Sequence, residues 1–145
     1  MPQADIIDVA DAIVTELNGH LFSQPFTSER GYLPTFDLAE MNDLKVTVVP
    51  KEDDGKLDTR TASMHEYAID IGVQKKPPTI DNTDLDPLML LVQEIADHFL
   101  FAKQAAGATL ISPAVRVLYL QEHLQKLRQF TSVITLTFRG WRQAA

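Results

Sequence analysis

Apolar and polar residues alternate strictly along four stretches of this chain. In Phe130–Arg139, Ile134, Leu136 and Phe138 alternate with Thr135, Thr137 and Arg139. A period of two puts three apolar side chains on one face, as a half-buried strand requires. The β-branched and aromatic content suits a pleated surface. Tyr67–Val73 has the same pattern, with Tyr67, Ile69, Ile71 and Val73 opposing Ala68, Asp70 and Gly72. Leu44–Val49 sends Val46 and Val48 one way and Thr47 and Val49 the other, and Pro50 is expected to stop the ladder there. Val115–Leu120 is a shorter candidate, with Val115, Val117 and Tyr119 opposing Arg116 and Leu118.

Two further stretches carry the helical period. Ile6, Val9, Ala10, Ile13, Val14 and Leu17 form one apolar stripe and predict a helix over Asp5–Asn18. Asp5 and Asp8 lie in its first turn, where the helix dipole favours negative charge, and Gly19 is the expected left-handed terminator. Leu88, Leu91, Val92, Ile95, Phe99 and Ala102 make a second stripe, with Glu94, Asp97 and Lys103 off it. Asp86 is the expected N-cap, Pro87 the first helical residue, and the helix is expected to run to about Ala105 with Gly107 closing it. Leu120, Leu124 and Leu127 predict a helical turn within the connection Gln121–Gln129.

Three segments lack either period. Residues 20–44 spread Phe22, Phe26, Tyr32, Leu33 and Phe36 among Pro25, Pro34 and Gly31, which predicts an irregular course with at most a short edge strand in Thr27–Leu33. Lys51–Glu66 holds Lys51, Glu52, Asp53, Asp54, Lys56, Asp58 and Arg60 without periodicity. It reads as a long loop leaving a β-hairpin, too charged to anchor itself and therefore mobile; such loops are usually functional or disordered. Trp141 and Arg142 fall in a short C-terminal tail. The order predicts one α+β domain over residues 1–145: a mostly antiparallel sheet of four to five strands, two helices on one face, and a long charged hairpin loop.

Composition narrows the chemistry. A chain of 145 residues buries roughly 70% of its unfolded surface in one core. No apolar run approaches the ~18 residues of a membrane span, and no basic-then-apolar leader opens the sequence, so the expectation is an intracellular protein without a membrane. The absence of cysteine excludes disulfides, thiolate catalysis and cysteine-bound metals. A net charge of −7 argues against a surface that grips nucleic acid through phosphates. The contrary case is a segregated patch of Lys75, Lys76, Arg116 and Arg139.

Candidate chemistry is sparse. His20, His65, His98 and His123 have no ligand spacing, and Glu94, Asp97 and His98 lack the registers of metal-binding helices. Asp53-Asp54-Gly55, with Glu52 and Asp58, lacks the oxygen ladder of a calcium loop and reads as a solvated turn. No phosphate loop, nucleophile elbow or recognisable Ser/His/Asp motif appears. Phe138 and Trp141 fit an oligomer anchor and a packed core equally well. The residues therefore predict no catalytic, cofactor or metal site.

The order of elements resembles that of bacteriophage tail-terminator proteins, which cap the tail tube of long-tailed phages. The resemblance is carried by the helix, the Leu44–Val49 strand, the long charged loop and the His65–Val73 strand. It continues in Glu66–Lys76 with Asp84–Ala96, whose helix start reads Asp84-Leu85-Asp86-Pro87-Leu88-Met89, and in the Thr/Ser-rich Gln129–Arg139. It implies a non-enzymatic virion protein, assembled in the host cytoplasm into a homo-oligomeric, commonly hexameric, ring. Its implied partners are the tail tube protein and the neck or connector proteins. Related head-completion and stopper proteins share such designs. A small enzyme with an unrecognised site and a monomeric adaptor docking by a sheet edge are the competing classes. A ring needs a heterologous interface. The expected assembly residues are Lys51, Glu52, Asp53, Asp54, Lys56, Asp58, Arg60, His65 and Trp141. Six copies at −7 each carry about −42, and an acidic lumen would let genomic DNA pass without specific binding. No nuclease, hydrolase or ATPase activity is expected.

Overall fold

A computed structural model describes residues 3–32, 43–102, 104–117 and 119–143. Leu33, Pro34, Phe36, Lys103 and Leu118, and the side chains of Arg116, Val117 and Leu127, lie outside the described residues.

The architecture is α+β. Helix α1 (Asp5–Gly19) and helix α2 (Asn82–Ala102) accompany six strands: β1 (Ser28–Arg30), β2 (Lys45–Leu57), β3 (Ala62–Lys75), β4 (Gln104–Ala105), β5 (Ala108–Val117) and β6 (Phe130–Gln143). A π-helical turn, His123–Leu127, precedes β6. The strands form one sheet in the order β1-β2-β3-β6-β5-β4. β1 lies parallel to β2 and the other neighbours are antiparallel. The sheet is thus wider than the four to five strands expected, and mixed, because the short edge segments at Ser28 and Gln104 both pair.

The alternating residues fall where their period predicts. Val48, Ile71, Ile134 and Val115 face one another across four strands, and Ile69 pairs with Leu136 and Tyr67 with Phe138. Ile69, Ile71, Ile134 and Leu136 are fully buried. Val9, Ala10, Ile13 and Leu17 of α1 and Leu88, Leu91, Val92, Ile95 and Phe99 of α2 join them in one cluster, so both helices cover one face. Each buried aliphatic side chain contributes roughly 1.5–3 kcal/mol.

Several boundaries differ from the sequence reading, each for a local reason. α1 leaves Gly19 into extended backbone at His20, φ −107°, with no left-handed cap. α2 begins at Asn82, and Pro87 lies inside it rather than at its first position. Asp84 sets that start by reaching back to Thr79, whose N–H and Oγ1 donate to Asp84 Oδ2 at 3.1 and 2.5 Å. The helix ends at Ala102, which is exposed. Gly107 closes no helix: Ala106 (φ 50°) and Gly107 (φ 82°) are the central pair of the β4–β5 turn. Positive φ at both positions is the mark of a type I′ hairpin. β5 accordingly begins at Ala108, and Tyr119 and Leu120 lie beyond its end. Trp141 and Arg142 are part of β6 and not a tail.

The largest difference is the segment read as a mobile loop. β2 runs on to Leu57 and β3 starts at Ala62, so only residues 58–61 turn. The charged stretch is a paired β-arm.

Candidate functional site

The arm comprises the distal halves of β2 and β3 and the end of β6. Gly55, His65 and Gly140 align across the three strands, as do Leu57, Ser63 and Arg142. Pro50 does not end β2, because β1 pairs only with Val46–Val48. Beyond Val49 the strand has an open edge, where a missing N–H is tolerated. A bulge between Pro50 and Glu52 absorbs one residue. That extra residue reverses the parity of the strand, so Asp53, Gly55 and Leu57 share a face with Tyr67, His65 and Ser63.

On this face the side chains form a connected polar array. Asp53 Oδ1 lies 2.6 Å from His65 Nδ1, and Ser63 Oγ lies 2.8 Å from His65 Nε2. In the tautomer that carries its proton on Nδ1, the aspartate accepts from Nδ1–H and Nε2 accepts from the Ser63 hydroxyl, which also lies 3.4 Å from Arg142 O across the ladder. Arg142 Nη2 donates to Asp53 Oδ2 at 3.2 Å and to Tyr67 Oη at 3.3 Å, while its Nε donates to Asp5 Oδ2 at 2.9 Å. The array thus ties the arm to the first turn of α1. The His65 ring is buried and stacks on Tyr67, with centroids 5.9 Å apart and planes 10° apart. Gly55 makes room for it: a Cβ there would lie 2.8 Å from His65 Cε1.

This environment shifts the acid–base balance of two groups. Burial pushes the Tyr67 phenol above its usual range, against the opposing hydrogen bond and charge of Arg142. Arg142 is held more firmly protonated than usual by its bonds to Tyr67 and Asp5, against the opposing effect of burial and with Asp53 adding to it.

The opposite face of the same strands is a concavity of about 500 Å³ lined by Lys51, Glu52, Asp54, Glu66, Asp70 and Thr137, among others. Glu66 and Arg139 face each other across β3 and β6 and form an ion pair of 2.9 Å. Thr135 Oγ1 donates to Asp70 at 2.7 Å.

The residues expected to act together are therefore divided. Asp53 and His65 meet on the inner face, whereas Lys51, Glu52 and Asp54 line the outer concavity. Lys56 pairs with Met64, which pairs with Trp141, and the indole is 57% exposed. Asp58 and Arg60 lie in the turn, where the Asp58 N–H donates to Ala62 O at 3.1 Å. Phe138 belongs to the core, so of the two aromatics only Trp141 is available as an anchor. Arg139 does not join Lys75 in a basic patch. Lys75 and the Glu66 that holds Arg139 are nine positions apart on β3, roughly 30 Å at strand rise.

His98 bonds Glu16 at 2.9 Å and packs against His20, with ring centroids 4.2 Å apart and planes tilted by 33°. Among the described residues no group of three or more His, Asp or Glu is placed to hold a metal ion. Nor is any helix of the described residues long and apolar enough to cross a membrane.

Sequence reasoning passed over Ser63, Gly55, Arg142 and Asp5. The signal for Ser63 was present, since the period of Tyr67, Ile69 and Ile71 continues upstream through His65 to Ser63. No protein-family model matches the chain, and a search of curated proteins finds no significant match.

Proposed function

We propose that this chain is a structural subunit that assembles into a ring through its arm, in the manner of a phage tail terminator or a related neck protein. The observation that carries the reading is the arm itself. Three strands extend past the helix layer, braced to α1 by Arg142, while residues 51–57 of β2 stay exposed along an open edge. Such an edge is a template for pairing, and the charges of Lys51, Glu52, Asp54 and Lys56 restrict which partner it accepts. A ring formed head to tail sets this edge against a different surface of the next copy. The acidic outer concavity and the net charge of −7 suit a channel through which DNA slides without binding.

The test is the native mass and electron-microscope image of the full chain beside a variant in which residues 52–65 are replaced by Asn-Gly. Rings from the full chain and folded monomers from the variant are expected. Co-purification with tail tube protein supports the terminator role, and co-purification with connector proteins alone supports a head-completion role. Equal assembly by both chains overturns the reading. Appreciable duplex binding near physiological salt counts against the channel.

A further inference from the structure

We propose that Ser63 is an activated nucleophile and that the inner face of the arm is an acyl-transfer site for small activated esters. The inference is independent of ring assembly, and it departs from the expectation of no hydrolase activity drawn from the sequence.

The atoms are in the order nucleophilic catalysis requires. The hydroxyl meets Nε2 at 2.8 Å, the aspartate meets Nδ1 at 2.6 Å, and these are the two separate roles of base and orienter. The base is fixed on every side that the strands provide. Tyr67 stacks on one flank, Gly55 leaves the space a side chain would fill, and only 9% of the residue's surface is exposed. A glycine inside a strand is destabilising relative to alanine, and the ring's placement explains its presence here. The orienter is fixed as well, because the second oxygen of Asp53 is held by Arg142. An ion pair alone would brace the arm with Asp53 and His65. Ser63 and His65 lie on one strand two positions apart, so their bond does not itself cross strands; the one cross-strand contact of the hydroxyl is a long 3.4 Å approach to Arg142 O, weaker than its 2.8 Å bond to the imidazole.

The surroundings set the substrate class. Arg142 is directly opposite Ser63 in the ladder, and among the described residues the guanidinium is held through Nε and Nη2. It is placed to offset negative charge on an acyl oxygen. Leu57, opposite Ser63 on the other side and 86% exposed, offers an apolar shoulder. Ser63 is only half-buried, so the site suits a small ester with a good leaving group.

The chemistry balances. Ser63 Oγ attacks the carbonyl carbon as its proton passes to His65 Nε2, giving a tetrahedral oxyanion beside Arg142. Collapse breaks the bond to the leaving oxygen, which takes the proton from Nε2. Water then loses a proton to Nε2 and attacks the acyl-serine, releasing the carboxylic acid and restoring the hydroxyl.

The experiment treats the full chain with an alkyl fluorophosphonate, read by intact mass and peptide mapping, and with p-nitrophenyl acetate, read by phenolate release. One adduct at Ser63 is expected, absent in Ser63→Ala. A positioned base contributes typically 10²–10⁴-fold, so His65→Gln should slow both reactions about 100-fold and flatten their rise with pH. Asp53→Asn should slow them while leaving Ser63 in place. Each variant is checked for native circular dichroism, and Ser63→Cys provides a second route. Its alkylation by iodoacetamide should be faster with His65 present than in the Ser63→Cys, His65→Gln double variant. No adduct at Ser63, an equal rate in folded His65→Gln, or no difference between the two cysteine variants overturns the proposal.

Discussion

The same three strands build both the body of the molecule and its arm, and the two regions are held together differently. In the body, the inner face of β2, β3 and β6 reads Val48, Ile71 and Ile134 and lies under two helices. Six to nine positions away along the strands the same face reads Gly55, His65 and Gly140, then Leu57, Ser63 and Arg142, met by the first turn of α1 through Asp5. Burial of aliphatic surface fixes the first region. The second rests on its backbone ladder and on polar bonds worth roughly 0.5–1.5 kcal/mol each, less for exposed ion pairs. The arm is therefore the less stable unit and should open locally before the body does. The arm's cover is thinner, since the same alternation that hides isoleucines under helices leaves Ser63 half-buried and Arg142 exposed, while His65 is buried against the Tyr67 ring.

The largest effect should come from breaking the body. Ile71→Ala removes a side chain with no exposed surface, at the centre of the sheet, and should cost about 2–5 kcal/mol of global stability. Denaturant unfolding checks this, and an unchanged midpoint would count against the register that places Ile71 opposite Ile134.

Gly55→Val should be smaller and confined to the arm. The new Cβ enters the space of the His65 ring, with Cε1 only 2.8 Å away, so ring or strand must shift. Overpacking of this kind costs about 1–3 kcal/mol. Amide exchange should quicken across residues 52–67 and stay unchanged in α2. Uniform quickening would mean that arm and body are one cooperative unit.

The body was legible in the sequence because its cover is uniform. Where one face is buried, the period of two survives every residue of β3 from Tyr67 to Val73, and the helical stripes of α1 and α2 name their own buried residues. The arm was less legible, because both its faces are largely polar and only the continued period of β3 through His65 to Ser63 marks it. Pro50 reads as a stop only if the strand has neighbours on both sides there, and it has one. The array of Asp53, His65 and Ser63 depends on a bulge that shifts parity by one residue, and nothing in the identities around Lys51 announces it. Gly107 and Pro87 misled for a related reason, since each residue has more than one use. Gly107 serves the β4–β5 turn, and the Thr79–Asp84 bond starts α2 before Pro87.

Tyr67 stands at the junction of the two regions and gives a pH test. Burial raises its pKa above the unfolded value, so the neutral phenol is the form that folding favours. The sign follows: this contribution is fully present below the ordinary tyrosine pKa of about 10 and is lost as pH rises through the higher folded value. Melting temperature should fall more steeply above about pH 10 in the natural chain than in Tyr67→Phe. Equal slopes would show that the phenol titrates as it does in the unfolded chain.

The smallest effect should come from Asp70→Asn on the outer face. Asp70 is half-buried between Val49 and Thr135, and it accepts a hydrogen bond of 2.7 Å from Thr135 Oγ1. An asparagine keeps an oxygen at that position, so the bond survives with a neutral acceptor. The lost charge is one of the four carboxylates among Glu52, Asp54, Glu66 and Asp70 that line the concavity, and their mutual repulsion eases. The two changes oppose each other, and the net shift should stay within about 0.5 kcal/mol, as for surface sites generally. Ile71, the next residue, points to the other face and should cost several times more. A pair of neighbouring substitutions thus reads out the pleat directly. If Asp70→Asn instead costs more than about 1 kcal/mol, the carboxylate is meeting a charge on the outer face, and that face is more tightly organised than a solvated channel lining.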